Sequence, residues 1–145
     1  MDAEALYDPF GLRCIVAVPI RSFEFGKARL ADALPDDARR SLVQTLAERV
    51  VAAAGRATVV VVSSDPEVVR WAGDRLCFVL DDPGTLDGAA HAAREWAAAR
   101  GATRVVVAHG DLPFAHDLDA LGAPGAAPVA LIVPDRHGEI GRAHV

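Results

Sequence analysis

The sequence predicts an α/β protein, a three-layer α/β/α sandwich around a mostly parallel sheet. Three observations carry that expectation. Near-continuous apolar runs recur along the chain, as parallel strands covered on both faces require. Helical patterns separate them, so strands and helices alternate four times over. Hairpin signals between the runs are absent, which leaves crossover connections as the economical choice.

Each element has its own reason. "CIVAVPI", 14–20, is the first strand. A polar loop with Gly26 follows. Pro35, Asp36 and Asp37 then open a helix, because proline tolerates the first turn and acids complement the positive helix end. Leu42, Leu46, Val50 and Ala53 give this helix an apolar face, and Gly55 is a natural stop. "ATVVVVSS", 57–64, is the second strand, β-branched for most of its length. Asp65 and Pro66 start a short helix that runs to about Gly73. "LCFVLDD", 76–82, is the third strand. "PGT" turns the chain into an alanine-rich helix over 86–100, ended by Gly101. "RVVVAHG", 104–110, is the fourth strand. A short helical or irregular piece covers 115–122, a turn-rich connector 123–128, and "VALIVPD", 129–135, a fifth strand. No internal repeat or domain linker interrupts this order.

Composition narrows the function classes. The chain has 145 residues, 52% of them hydrophobic and 24% charged, enough for one sizeable core. The net charge of −5 disfavours a general nucleic-acid binder, which usually carries a basic patch. A small anionic substrate needs only a few local cations. No run approaches a membrane span. The start, MDAEALYDPFG, lacks the basic and apolar regions of a signal peptide. A cytoplasmic, reduced protein is expected. Cys14 and Cys77 both lie in strand-like apolar runs and read as buried thiols, with no zinc spacing.

In parallel sheets ligands sit beyond the carboxyl ends of the strands, so the residues there are the candidates. Strand one runs out through Arg21 into Gly26, Lys27 and Arg29. In an extended loop Lys27 and Arg29 point the same way. Two such cations suit a polyphosphate, with Gly26 allowing close backbone approach; a solvated basic loop is the other reading. The spacing of a Walker A loop and the G-x-G-x-x-G dinucleotide pattern are both missing. Strand two ends at Ser63, Ser64 and Asp65, and Ser64 or Asp65 before Pro66 also makes a helix cap. Strand three ends at Asp81 and Asp82, and its turn leads to Asp87 and Gly88. Asp111, between Gly110 and Pro113, stands where a hard cation could bridge it to phosphate, and Asp135 arrives beside a proline in the same way. Magnesium takes one or two carboxylates plus substrate oxygens. Two exposed loop acids are the alternative. His109 and His137 read as ligands, bases or hydrogen-bonded structural groups. Trp71 and Trp96 read as core, and His91, Arg94 and Glu95 as the wet face of their helix.

Taken in order, "VPI…GKARLADALPDDARRSLVQTLAERVV", "VVVSSDPEV", "LDGAAHAA", "HGDLPF" and "VPDRHG" resemble one family. It is the 2-phospho-L-lactate guanylyltransferase family with its phosphoenolpyruvate-using relatives, which serve deazaflavin coenzyme F-420 synthesis. The resemblance covers about residues 13–138, the nucleotidyltransferase domain, with 1–12 as an N-terminal extension. It implies a glycosyltransferase-A-like fold. The implied reaction has the phosphate of phosphoenolpyruvate, 2-phospho-L-lactate or 3-phosphoglycerate attack the α-phosphorus of GTP and expel pyrophosphate, with Mg2+. By motif, Gly26, Lys27 and Arg29 would hold the triphosphate. Ser64 and Asp65 match the nucleotide side, with Asp87 and Gly88 beyond them. Asp111 and Asp135 would bind metal.

There are departures. Asp87 stands where the family more often shows asparagine, and His109–Gly110 replaces a small apolar pair. The family continues past "VPDRHG" with a "GTN"-like segment, further strands and a loop that helps bind the acceptor phosphate. Here the chain reads "EIGRAHV". Those residues, 139–145, are the translation of gag atc gga aga gca cac gtc, which resembles a sequencing adaptor. They are therefore expected to be non-native, leaving the domain incomplete at the C-terminus and its sheet edge open to homo-oligomer formation. On that expectation the chain as written holds only part of the acceptor site. Two other readings remain. One is a molybdopterin guanylyltransferase-like enzyme, which would carry a glycine-rich L-x-G-G-x-S-x-R loop after strand one. The other is a non-catalytic nucleotide-binding module of the same fold.

Overall fold

In a computed structural model, residues 14–23, 33–110 and Leu118 are described. The expected fifth strand over 129–135, the connector before it and the terminal segments 1–12 and 139–145 lie outside them. So do Gly26, Lys27, Arg29, Asp111, Asp135 and His137. The elements are β1 (Cys14–Pro19), α1 (Asp36–Ala53), β2 (Thr58–Val62), α2 (Pro66–Asp74), β3 (Phe78–Leu80), α3 (Leu86–Ala99) and β4 (Arg104–Val107). The sheet order is β3-β2-β1-β4, and all three pairings are parallel. Each strand is shorter than its apolar run, because residues at the ends of the runs pass into the adjoining loops and helix stops.

The alternation of β1 shows why the sheet is covered on both sides. Val16 and Val18 face α1 and α2, together with Val61, Val68, Trp71 and Val50. Ile15 and Ala17 face α3, where Val60, Val62, Ala89, Ala93 and Ala97 complete a second cluster. Successive side chains of a strand point to opposite faces, and here both faces are apolar. The alanines of α3 bring its backbone close to the sheet. Leu118, the one described residue beyond Gly110, is helical and buried in the α1–α2 cluster.

The buried face of α1 is Val43, Leu46, Ala47 and Val50, with Ala54 at its end. This rotates the expected stripe by about one residue: Leu42 and Ala53 are half-buried rather than central. The two helices on that side are tied by Arg40, which holds both carboxylate oxygens of Glu67 at 2.9 and 3.1 Å. Trp71 is core as expected, and Phe23 meets it edge-on at 5.4 Å between ring centroids. Trp96 is half-buried instead, packed on Phe78 and under the Arg100 guanidinium. His91, Arg94 and Glu95 are exposed, as the helix pattern predicts. Cys14 and Cys77 are half-buried rather than fully buried, and Cys77 falls just before β3.

All three helices end on a left-handed residue. For α1 and α3 it is glycine, Gly55 at φ 60° and Gly101 at φ 81°. For α2 it is Leu76 at φ 59°, the one non-glycine residue with positive φ among those described. The amides of Cys77 and Leu76 bond back to the carbonyls of Ala72 and Gly73, and those of Ala102 and Gly101 to Ala97 and Ala98. These are the paired bonds of a Schellman stop. A leucine in that conformation costs roughly 1–2 kcal/mol. It recovers almost nothing by burial, since Leu76 is 93% exposed.

Two outcomes follow from this geometry. Leu76→Gly is expected to raise stability by up to about 1 kcal/mol, the strain relieved less the chain entropy glycine adds. The urea midpoint reads this, and a lowered midpoint would show that Leu76 is held by contacts outweighing its strain. The second concerns Cys77. Burial raises its thiol above the ordinary 9.0, against the opposing charge of Arg75. Its folded pKa therefore lies above its unfolded one. The contribution is fully present below pH 9.0 and is lost as the pH rises through the raised folded value. The parent should lose stability more steeply than Cys77→Ala in that alkaline window; equal slopes would show that the thiol is not desolvated.

Candidate functional site

The carboxyl ends of β3, β2 and β1 lie side by side and are cross-pinned. Beyond β2, the Ser63 amide bonds to the Leu80 carbonyl at 2.9 Å, and beyond β1 the Ile20 amide bonds to Val62 at 3.1 Å. The ladder thus continues past the strand ends proper. Ser63 is fully buried, and its Oγ accepts from the Asp65 amide at 3.2 Å. Ser64 is exposed, and its Oγ accepts from the Asp82 amide at 2.9 Å. Consecutive serines therefore do different work: one shapes the β2 exit, the other holds the β3 exit against it.

Asp65 is the N-cap of α2. Its Oδ1 accepts from the amides of Glu67 and Val68 at 2.9 and 3.2 Å, and Pro66 opens the helix. Of the two roles weighed from sequence for Asp65, capping is the one these bonds describe. Two orphan amides at a helix start are satisfied by one carboxylate oxygen.

The turn after β3 is the most organised part of the rim. Asp82 Oδ1 accepts from the Gly84 amide at 2.8 Å. Gly84 has φ 102°, which other residues rarely adopt. Thr85 caps α3, its Oγ1 accepting from the Gly88 amide at 3.0 Å. A Cβ on Gly88 would stand 2.8 Å from that Oγ1 and 2.9 Å from Pro83 Cγ, so glycine is what lets the proline fold over the helix start. Asp87 lies exposed in the first turn of α3. Arg21, from the end of β1, donates Nη2 to the Gly84 carbonyl at 2.9 Å.

On the other side of β1, a Cβ on Gly110 would meet Ile20 Cγ1 at 2.9 Å. The exit of β4 is thereby held against the exit of β1. Gly110 directly precedes Asp111 in the chain. Of the sequence-predicted site residues, the structure gathers Ser64, Asp65, Asp87 and Gly88 on one rim with Arg21. In the sequence Arg21 marks only a strand exit, and its bond to a turn 63 residues away carries no local signal. Among the described residues no group of three or more His, Cys, Asp or Glu side chains could hold a metal ion. A magnesium bridged by two aspartates to phosphate would not require one.

The model of the family described as "Guanylyl transferase CofC like" matches residues 14–138. The chain belongs to this family. Among its relatives is a phosphoenolpyruvate guanylyltransferase of Sphaerobacter thermophilus, 36% identical over 130 residues, which span 85% of this chain and 63% of the relative. A protein of the same name from Conexibacter woesei is 39% identical over 137 residues, 84% of this chain and 59% of the relative. The chain thus spans less than two thirds of the length of these curated CofC-like relatives. A crystal structure of a Desulfovibrio desulfuricans G20 protein, described as a nucleotide-diphospho-sugar transferase, superposes with a TM-score of 0.61 at 17% identity. It covers 75% of this chain and 51% of that one. The CofC-like chain shares its α/β fold.

The capping bonds of Asp65 lead to a substitution test. Asp65→Ala is expected to cost about 1 kcal/mol through loss of the α2 cap, and Asp65→Asn, which keeps an accepting oxygen, a few tenths. Denaturant midpoints of the two variants check this. Equal losses would mean that the carboxylate charge, and not the capping oxygen, is what the fold uses.

Proposed function

We propose that this protein transfers a guanylyl group from GTP to a small phosphorylated three-carbon acid, phosphoenolpyruvate foremost, with release of pyrophosphate. The observation that carries the reading is family membership across residues 14–138, beside relatives named phosphoenolpyruvate guanylyltransferase. The pinned rim fits it, because parallel sheets bind ligands beyond the carboxyl ends of their strands. 2-Phospho-L-lactate and 3-phosphoglycerate are the other acceptors of the same chemistry, and the product would feed deazaflavin coenzyme F-420 synthesis. The work would take place in the cytoplasm.

On this reading an oxygen of the acceptor phosphate forms a bond to the α-phosphorus of GTP. The bond from that phosphorus to the bridging oxygen breaks, and pyrophosphate leaves. No covalent enzyme intermediate is needed, so the protein acts by positioning and electrostatics. Gly26 lets the backbone approach the triphosphate, and Lys27 and Arg29 hold it. Asp111 and Asp135 would hold Mg2+, which when bound neutralises charge on the phosphoryl oxygens. Ser64 and Asp65 shape the nucleotide side of the rim. Asp87 and Gly88, at the start of α3, complete it.

The protein carried to the length of its relatives, given GTP, Mg2+ and phosphoenolpyruvate, should release pyrophosphate and yield the guanylylated acid by mass, whereas the chain as written should lack normal acceptor affinity. Lys27→Ala and Asp111→Ala should each lower kcat/KM by about a hundredfold or more. No pyrophosphate with any of the three acceptors would overturn the reading.

A further inference from the structure

We propose that Arg21 is a positioning residue. Its guanidinium straps the 81–85 turn to the end of β1, so that the two sides of the nucleotide crevice are held as one cradle. The nucleotide part of this inference rests on the guanylyl-transfer reading above; the strap itself does not.

The base of the strap is rigid. On one side of Arg21, the Ile20 amide is bonded to Val62, and on the other Phe23 is buried with its ring against Trp71. The chain from Phe23 leads in sequence to Gly26, Lys27 and Arg29. The far end of the strap is equally defined. The Gly84 carbonyl that accepts from Arg21 belongs to a residue at φ 102°, whose amide is held by Asp82. Asp82 is in turn held through its amide by Ser64. Thr85, next in the chain, caps α3 through Gly88. β1 and β2 thus each contribute one side chain to the same turn, Arg21 and Ser64, and the turn sets the start of α3.

The chemistry of the bond explains why arginine serves here. A guanidinium presents its donors in a fixed planar fork, whereas an ammonium is a rotating point charge. A neutral carbonyl offers no counter-charge. What the bond gains is therefore geometry, in an exposed place where it adds little to overall stability. A strap of this kind acts on the ligand through the turn and not by touching it.

Two measurements test the inference on the full chain. The first is amide hydrogen exchange without nucleotide. In Arg21→Ala, exchange at Asp82, Gly84 and Gly88 should quicken several-fold while the α1 amides are unchanged; unchanged exchange in the turn would overturn the strap. The second is binding of a fluorescent GTP analogue in Mg2+. Arg21→Ala should weaken it a few-fold, within what a modest exposed hydrogen bond can pass on through the turn. Arg21→Lys should recover part of the loss.

Asp82→Ala, which breaks the same turn from inside, should weaken binding too, and the double variant should be no weaker than the weaker single. Additive losses would show that Arg21 acts apart from the turn and would overturn the positioning role. If the parent itself fails to bind the analogue while the exchange result holds, the guanylyl-transfer reading falls and the strap is a structural tie alone.

Discussion

The rim depends on β1 being closed in on every side. β2 pairs with one edge, β4 with the other, α1 and α2 cover one face and α3 the second. A strand so enclosed has no freedom to shift register, because a slip of one residue would exchange Val16 and Val18 with Ile15 and Ala17 between two differently shaped clusters. Its exit is correspondingly fixed. Ile20 continues the ladder to Val62, Gly110 packs on the Ile20 side chain, and Phe23 plugs the core beside Trp71. Arg21 emerges from that fixed point, and so a single exposed side chain can orient a turn at the far edge of the sheet.

The organisation of the rim is mostly side chain to backbone. Ser63, Ser64, Asp65, Asp82 and Thr85 each accept from a main-chain amide, and Arg21 donates to a main-chain carbonyl. Such bonds satisfy groups that loops and helix starts would otherwise leave unpaired. They also mean that several polar residues at the carboxyl edge of the sheet are employed in shaping it. A carboxylate at a strand end can serve the backbone, as Asp65 does in capping α2.

The opposite, amino-terminal end of the sheet is built differently. There Arg75 lies over Trp71 and pairs with Glu48, Leu76 takes the strained stop of α2, and Phe78 is half exposed on the edge strand. Glu48 also accepts from the Trp71 indole at 3.4 Å. The fold tolerates strain at Leu76 because the backbone bonds to Ala72 and Gly73 hold the stop whatever the side chain. Among the described residues the side-chain-to-backbone bonds are concentrated at the carboxyl rim.

Much of this could be read from the chain directly. Apolar runs and helix starts marked by Pro35, Asp65–Pro66 and Thr85 are local signals, and strand and helix order followed from them. So did the parallel sheet, since no hairpin turn was available, and so did membership of the guanylyltransferase family, since ordered motifs survive without contacts. What could not be read depends on residues distant in sequence. The rotation of the α1 face is set by where α2 and the sheet lie. The end of α2 at Leu76 has no glycine to announce it. That Asp65 caps α2 is set by the amides within its reach. The bond from Arg21 to Gly84 exists only because one sheet brings the exits of β1 and β3 to the same rim, with the exit of β2 between them. Local propensity and pattern are carried by each stretch of chain alone, whereas a hydrogen bond across 63 residues requires the tertiary fold to bring its partners together.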